Sequence, residues 1–135
     1  MDIKGWLRSA WNYVRRLPIG RYLKSIWKPL LKELVQAESD KLQEETKAMV
    51  RAKGPGALND VNARVDKWQA AIVAGLDKVP FPKVLEDRVR AVVQDGVDYL
   101  QGELSQRIGA GAGDVAIDLV FDNAEIRLAG AIDLL

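Results

Sequence analysis

The two residue types with the richest site chemistry are missing from this chain. Among its 135 residues there is no cysteine and no histidine. Without cysteine the chain can form neither disulfides nor thiolate metal sites, and the sequence carries no sign of the redox state of its compartment. Without histidine, imidazole zinc sites, histidine-ligated haem and Ser-His-Asp hydrolysis are all excluded from this chain.

Hydroxyl nucleophiles are also scarce, and the five Ser and Thr residues are Ser9, Ser25, Ser39, Thr46 and Ser105. The adjacent acids Glu44–Glu45 and Glu86–Asp87 would point about 100° apart on a helix, so they do not converge as a catalytic pair. The glycine-rich "GAGAGD" at 109–114 lacks the Lys-Ser/Thr of a P-loop. We therefore expect no enzyme activity, no cofactor, no metal ion and no small-molecule substrate.

Long apolar runs are missing too. No stretch approaches the roughly 18 consecutive apolar residues that cross a bilayer, and the N-terminus lacks the apolar region of about 7–15 residues found in secretory signals. We expect neither a transmembrane helix nor a cleavable secretory signal. A location inside a viral particle or at the periphery of a membrane remains compatible with these absences.

The net charge of +1 conceals an uneven distribution of charge. Residues 1–37 hold eight Lys/Arg against two acids, whereas residues 91–135 hold eight acids against Arg107 and Arg127. The stretch from Gly5 to Leu30 also contains five of the nine aromatic residues and no acid. Such asymmetry is typical of a chain that carries an interaction arm.

Residues 1–35 form this basic aromatic arm, and its periodicity predicts two amphipathic helices. In the first, residues 2–16, one face holds Ile3, Trp6, Leu7, Ala10 and Val14, and the opposite face holds Lys4, Arg8, Asn12 and Arg15. Pro18 and Gly20 then break the pattern, which resumes from Arg21. Pro29 predicts a kink or a new start within the second helix.

Three uses of the arm fit this pattern. It could lie on an anionic membrane as an interfacial helix, bind nucleic acid through phosphate contacts and stacking, or pack against its own hairpin or a sister subunit. Segregation of the cations from the apolar residues favours docking on a lipid or protein surface over wrapping a nucleic acid. The residues predicted to dock are Trp6, Leu7, Arg8, Trp11, Arg15, Arg16, Arg21, Lys24, Ile26, Trp27 and Lys28.

Beyond the arm, a polar helix is predicted over 36–53 and an antiparallel helical hairpin over 54–108. "KGPGALND" marks the strongest break between them. The hairpin helices have the apolar stripes Val61, Val65, Trp68, Ile72, Leu76 and Leu85, Val89, Val92, Gly96, Leu100, Leu104. Trp68 is predicted to lie in the core and Tyr99 at its border. Gly96 marks either a close helix approach or a weak point in the helix.

After a Gly/Ala linker at 109–113, residues 114–135 fit two interpretations. Alternation of Val115, Ile117, Leu119 and Phe121 with less apolar neighbours favours a β-hairpin. A further helix is the alternative, and it would bring Phe121 and Ile132 close to a face shared by acids. These acids lack the dense spacing and the glycine of a calcium loop, so we expect no metal site.

The sequence thus predicts a mainly α protein with amphipathic N-terminal helices, a helical hairpin and a C-terminal segment read as a β-hairpin. We expect a non-enzymatic structural or assembly protein, acting as an oligomer or as a component of a larger particle such as a virion. The arm would dock it to neighbouring subunits or to a membrane surface. The alternatives are a peripheral membrane-binding protein and a nucleic-acid-binding protein that uses the same arm.

Overall fold

A computed structural model describes the backbone of residues 20–77 and 83–135. Within these ranges the side chains are described from residue 28 onward, except that of Asp77. The described residues form four α-helices: α1 (Gly20–Lys53), α2 (Leu58–Asp77), α3 (Lys83–Gly109) and α4 (Asp114–Asp133). A 3-10 helix, Gly54–Ala57, joins α1 to α2. The described ranges contain no strand, and the prediction of a mainly α protein is confirmed.

The helices form a closed ring in which each packs against two others. Helix α1 contacts α2 and α4, and α3 contacts the same two helices from the other side. Side-chain pairs run in opposite directions along neighbouring helices: Lys28 meets Asp133 and Arg51 meets Asp114 across α1 and α4. Across α2 and α3, Gln69 meets Gln94 and Asp66 meets Gln101. This is an up-down-up-down four-helix bundle.

The core forms from one buried stripe on each helix, with steps of three or four residues. Trp68 is 3% exposed and lies in the core, as predicted, while Tyr99 is half-buried at the border. The buried residues of α3 are Val89, Val93, Gly96, Val97, Leu100, Leu104 and Ile108, with the predicted Leu85 and Val92 packed beside them. Those of α4 are Ile117, Val120, Phe121, Ala124, Leu128 and Ile132.

The predicted β-hairpin at the C-terminus is wrong, because residues 114–133 form the single helix α4. Its buried residues recur with a helical period, and the frequent alanines favour a helix as well. Asp114 lies in the first turn, where a negative charge stabilises the helix N-terminus. Phe121 is fully buried even though acids lie nearby, since those acids lie toward α1 and contact its polar side chains.

Two glycines close the turns between helices. Gly54 follows α1 with φ of 59° and Gly111 follows α3 with φ of 81°, a left-handed conformation that other residues rarely adopt. After Gly54 the 3-10 helix packs on α1, α2 and α3 through the fully buried Ala57. Helix α1 runs through Pro29 without a new start.

Gly96 marks the close approach of α3 to α4. A Cβ atom at this position would lie 2.7 Å from Cδ2 of Leu128, which is 3% exposed and enclosed by the core. Real Cβ atoms do not approach a carbon so closely, so any larger residue must displace Leu128. The glycine thus lets α4 lie against α3, and the close-approach interpretation of the sequence is the right one.

Replacing Gly96 with valine should lower the free energy of unfolding by about 1–3 kcal/mol, because the new side chain overpacks this contact. Leu128→Ala should cost roughly 2–5 kcal/mol by leaving a cavity. In the double variant the valine occupies space that the leucine vacates, so the combined cost should be smaller than the sum. Urea unfolding followed by circular dichroism measures all three.

Gly102→Val is the matched control on the same helix, because a Cβ atom there meets nothing within 4 Å. It should leave the free energy of unfolding nearly unchanged. Equal effects at the two glycines, or strictly additive costs in the double variant, would show that Gly96 does not set the distance between the helices.

Candidate functional site

The predicted docking residues fall into three groups. Six lie outside the described residues: Trp6, Leu7, Arg8, Trp11, Arg15 and Arg16. Four more lie on the first two turns of α1, where only the backbone belongs to the described structure: Arg21, Lys24, Ile26 and Trp27. Lys28 is half-buried, and its ammonium donates a hydrogen bond to the carbonyl oxygen of Asp133 at 2.8 Å.

Lys28 forms part of the contact between α4 and the C-terminal end of the arm, residues 28–35. Lys32, one turn further along α1, forms an ion pair with the Asp133 carboxylate. The last carbonyls of a helix have no partner within it and carry partial negative charge, so two cations stabilise the C-terminal end of α4. Because α4 ends opposite these lysines, residues 20–27 of α1 extend beyond it by roughly 12 Å.

Further along, α1 and α4 are joined by two more polar contacts. Gln43 donates to Oδ1 of Asp118 at 2.6 Å, and Nζ of Lys47 lies 3.1 Å from the same oxygen. These contacts, with that of Gln43 first, lower the pKa of Asp118. Hydrogen bonds to Glu44 and then to Asp118 raise the pKa of Lys47. Near the other end, Arg51 pairs with Asp114.

This series of contacts has a gap between Lys32 and Lys47. The described part of α1 presents no cation to α4 in that interval, because the intervening Lys41 lines a groove on the α2 side. Asp122 and Glu125 of α4 face the gap, and neither has a basic partner among the described residues. The acidic charge of α4 is therefore neutralised toward its ends and left unbalanced in its middle, at Asp122 and Glu125.

A groove of about 390 Å³ lies in this gap, between α1 and α4. Its floor is apolar, because Val35, Ala129 and Ile132 contribute only hydrocarbon side chains. Glu33 and Glu125 line it as well, while the ammonium of Lys32 is held by Asp133. The complete lining is Pro29, Lys32, Glu33, Val35, Gln36, Glu125, Ala129 and Ile132.

Glu125 is the most unusual titratable group of this groove. Its Oε1 atom is buried and has no hydrogen-bond partner. Burial raises the pKa of Glu125, and the nearby charges of Asp40 and Asp122 raise it further against an opposing hydrogen bond from Gln36. The amide of Gln36 also donates to Asp40 at 2.9 Å. Gln36 thus hydrogen-bonds the carboxylates of both Asp40 and Glu125, and no described cation pairs with Glu125.

Helix α4 also carries a line of exposed apolar side chains. Val115, Leu119 and Ile126 are 84%, 49% and 72% exposed, and their spacing of four and seven residues sets them along one side of the helix. Asp122 lies between them on the same side. Single exposed apolar residues are ordinary, but a line of three beside an apolar groove forms a larger surface. The groove and this line together are called the α4 surface below.

A second groove, of about 220 Å³, lies between α1 and α2 beside Trp68. Acids and cations alternate around it, and Arg64 pairs with Glu45 at 3.4 Å. The indole N–H of Trp68 is buried there without a hydrogen-bond partner. Its complete lining is Glu38, Lys41, Leu42, Glu45, Arg64, Lys67, Trp68 and Ala71. Its charges nearly cancel, so it offers no electrostatic preference for a basic segment.

In the described ranges no group of three or more acids is arranged to hold a metal ion. None of the helices in those ranges combines the length and the apolar character needed to cross a bilayer. Comparison of the chain with protein-family models, with curated proteins and with solved structures found no match.

Glu125→Gln should raise the free energy of unfolding at pH 7. A carboxyl whose pKa is raised by folding destabilises the folded state when ionised, and the neutral amide removes that penalty. The gain should shrink as the pH falls through the raised folded pKa toward the ordinary glutamate value of about 4.3, because the wild-type carboxyl is then increasingly protonated in both states. Urea unfolding at pH 7 and pH 4 tests this, with the exposed Glu33→Gln as control. A loss of stability at pH 7 would contradict it.

Asp118→Asn should have the opposite pH dependence. Folding lowers the pKa of Asp118, so its ionised form stabilises the protein above the ordinary aspartate value of about 3.9, and this contribution disappears as the pH falls through the lower folded value. The variant should be less stable than the wild type at pH 7 and should approach it at pH 2–3. Thermal unfolding across this range provides the measurement. A deficit that persists unchanged at the lowest pH would show that the charge plays no part.

Proposed function

We propose that this chain is a non-enzymatic structural protein that assembles into an oligomer or a larger particle. The acidic four-helix bundle forms its body, and the basic aromatic arm attaches that body to a neighbouring subunit. The observation that carries the proposal is the division of charge between the two parts. Residues 1–27 hold six Lys/Arg and one acid, whereas residues 28–135 hold fourteen Lys/Arg and eighteen acids.

The course of α1 supports this proposal. Lys28 and Lys32 fix the helix to the end of α4, and the helix then continues outward to Gly20 beyond both α4 and the last residue of α2. Opposite charges on two parts of the same chain speed the encounter of copies and orient them.

The absence of enzyme activity is likewise part of the proposal. The two grooves contain carboxylates and amines but no hydroxyl or imidazole among their lining residues. Glu125 is the one lining acid whose pKa burial raises, and Gln36 and the acid Asp40 are the groups beside it. An acid beside an acid and an amide, in a groove whose lining cation Lys32 is already paired with Asp133, suits recognition of a cation better than bond cleavage.

Attachment to an anionic membrane is the second candidate. The segregation of Trp6 and Leu7 from Arg8 and Arg15 is typical of interfacial helices, and each basic residue near an anionic leaflet contributes about 1 kcal/mol. The acidic bundle would be repelled by the same leaflet, which favours a protein partner. Nucleic acid is the weakest candidate, because a phosphate backbone would meet the same repulsion.

Reversal of two arm charges tests the proposal in the full chain. Arg15→Glu/Arg16→Glu should lower the mass of the native complex measured by light scattering, because the arm then no longer complements an acidic partner. Arg88→Glu/Arg107→Glu, on the exposed side of α3, reverses the same number of charges and should leave the mass unchanged. A strictly monomeric wild type at high concentration would contradict assembly.

The membrane candidate has its own measurement. Wild-type protein should then float with vesicles containing phosphatidylserine, with a blue shift of tryptophan fluorescence, and the arm variant should not. Any deletion used for comparison should stop at residue 19. Removal of residues 1–30 would take away Lys28, which caps α4, and Pro29, which lines the groove.

A further inference from the structure

We propose that the α4 surface is the receptor for the arm of a second copy of this chain. This inference rests on the proposed assembly function and specifies where the arm binds. In the complex, large apolar side chains of residues 2–16 occupy the groove between α1 and α4, and arginines of the same segment lie over the acids of its rim.

The shape of the groove fits anchor side chains rather than a whole helix. A volume of about 390 Å³ is at the lower end of the range for ligand pockets, roughly 300–1,000 Å³. Aromatic side chains bury about 150–250 Å² each and dominate interface energies when they enter such pockets. The apolar floor formed by Val35, Ala129 and Ile132 suits Trp6 or Trp11 of an incoming segment.

The charges around the groove match the same segment. Glu33 and Glu125 line the groove, and Asp40 and Asp122 lie close enough to Glu125 to raise its pKa. The described side chains supply no basic partner for Asp122 or Glu125, so a cation from outside gains free acceptors. Segment 2–16 carries four cations and one acid. Arginine stems can cover apolar surface while their guanidinium groups reach the rim.

The length of the α4 surface matches the segment too. From Val115 to Ile132 the helix rises by roughly 26 Å, and a helix formed by residues 2–16 would be roughly 22 Å long. The exposed Val115, Leu119 and Ile126 would thus be covered over most of the surface. A bound helix would contact the groove through its anchors and the apolar line through the rest of its face.

Reach distinguishes a second copy from the chain's own arm. Along α1, the groove residue Gln36 is roughly 24 Å from Gly20, and Lys47, which lies opposite Asp118, is roughly 40 Å away. If its own segment folded back as a helix, its roughly 22 Å would run along the groove, whose lining begins at Pro29 about 14 Å from Gly20, but would stop short of Leu119 and Val115. A second copy has no such restriction. Two copies that exchange arms would form a symmetric, closed dimer.

Ala129→Arg in the full chain tests the inference. The new side chain fills the groove and places a cation among its acids, so the concentration at which half of the protein is associated should rise by about tenfold or more. Ala70→Arg makes the same change at an exposed position on α2 and should have no effect. Glu125→Lys should act like Ala129→Arg without adding bulk to the floor. Circular dichroism checks that each variant is folded.

A mixing experiment tests whether the contact lies between copies. The Ala129→Arg variant retains an intact arm, and Arg15→Glu/Arg16→Glu retains an intact groove. Each should be dissociated alone at a concentration where the 1:1 mixture forms mixed complexes in native mass spectrometry, because one arm and one groove remain compatible. The absence of mixed complexes would overturn binding between copies, since an arm that binds its own groove cannot be complemented in this way.

The failure of this inference is distinct from the failure of the proposed function. If Ala129→Arg and Glu125→Lys assemble like the wild type while Arg15→Glu/Arg16→Glu dissociates, the arm drives assembly but binds elsewhere. If Arg15→Glu/Arg16→Glu also assembles like the wild type, the proposed role of the arm is itself wrong.

Discussion

The antiparallel contact between α1 and α4 is the constraint on which the rest of the structure depends. It closes the ring of helices and buries Ile117, Phe121 and Ile132. Exposed ion pairs each contribute little, so this apolar burial supplies most of the stabilisation. The polar contacts at Asp114, Asp118 and Asp133 select the register. Because Lys47 and Arg51 are four residues apart, as are Asp114 and Asp118, a shift of α4 by one turn would re-form some of these pairs, so the apolar core must fix the register together with them.

The groove is a consequence of the same contact. Cations of α1 meet acids of α4 at both ends of the interface, but Gln36 and Asp40 occupy the stretch between them. Glu125 therefore faces an amide and another acid, and burial raises the pKa of its carboxyl. The small side chain of Ala129 leaves the space beside it open. If cations of α1 also paired with Asp122 and Glu125, their side chains would fill the groove and cover its apolar floor.

The helices that depend on local pattern were predictable, and those that depend on partners were less so. The stripe that includes Val65, Trp68 and Ile72 has one period and one interpretation, and it gave α2 correctly. In α4 the run "DVAIDLVFD" satisfies both an alternating and a helical pattern. What decides between them is the surface of α1 and α3 that buries the helical stripe including Ile117, Phe121 and Leu128, which an isolated segment does not reveal. Alternation over nine residues weighed too heavily against the helical spacing of Phe121, Ala124 and Leu128.

The arm was visible in the sequence as a composition, but the groove was not. Its lining joins residues 29–36 to residues 125–132, which are about a hundred positions apart and meet only after the bundle closes. The contact between α1 and α4 also shows which cations of the chain are used within the bundle. Lys28, Lys32, Lys47 and Arg51 each meet an acid of α4, so these cations serve the fold. Six further cations precede Lys28 in the sequence, against a single acid. A chain that is nearly neutral as a whole thus carries a surplus of positive charge at one end and unbalanced acids in its body, and neighbouring copies can neutralise both together.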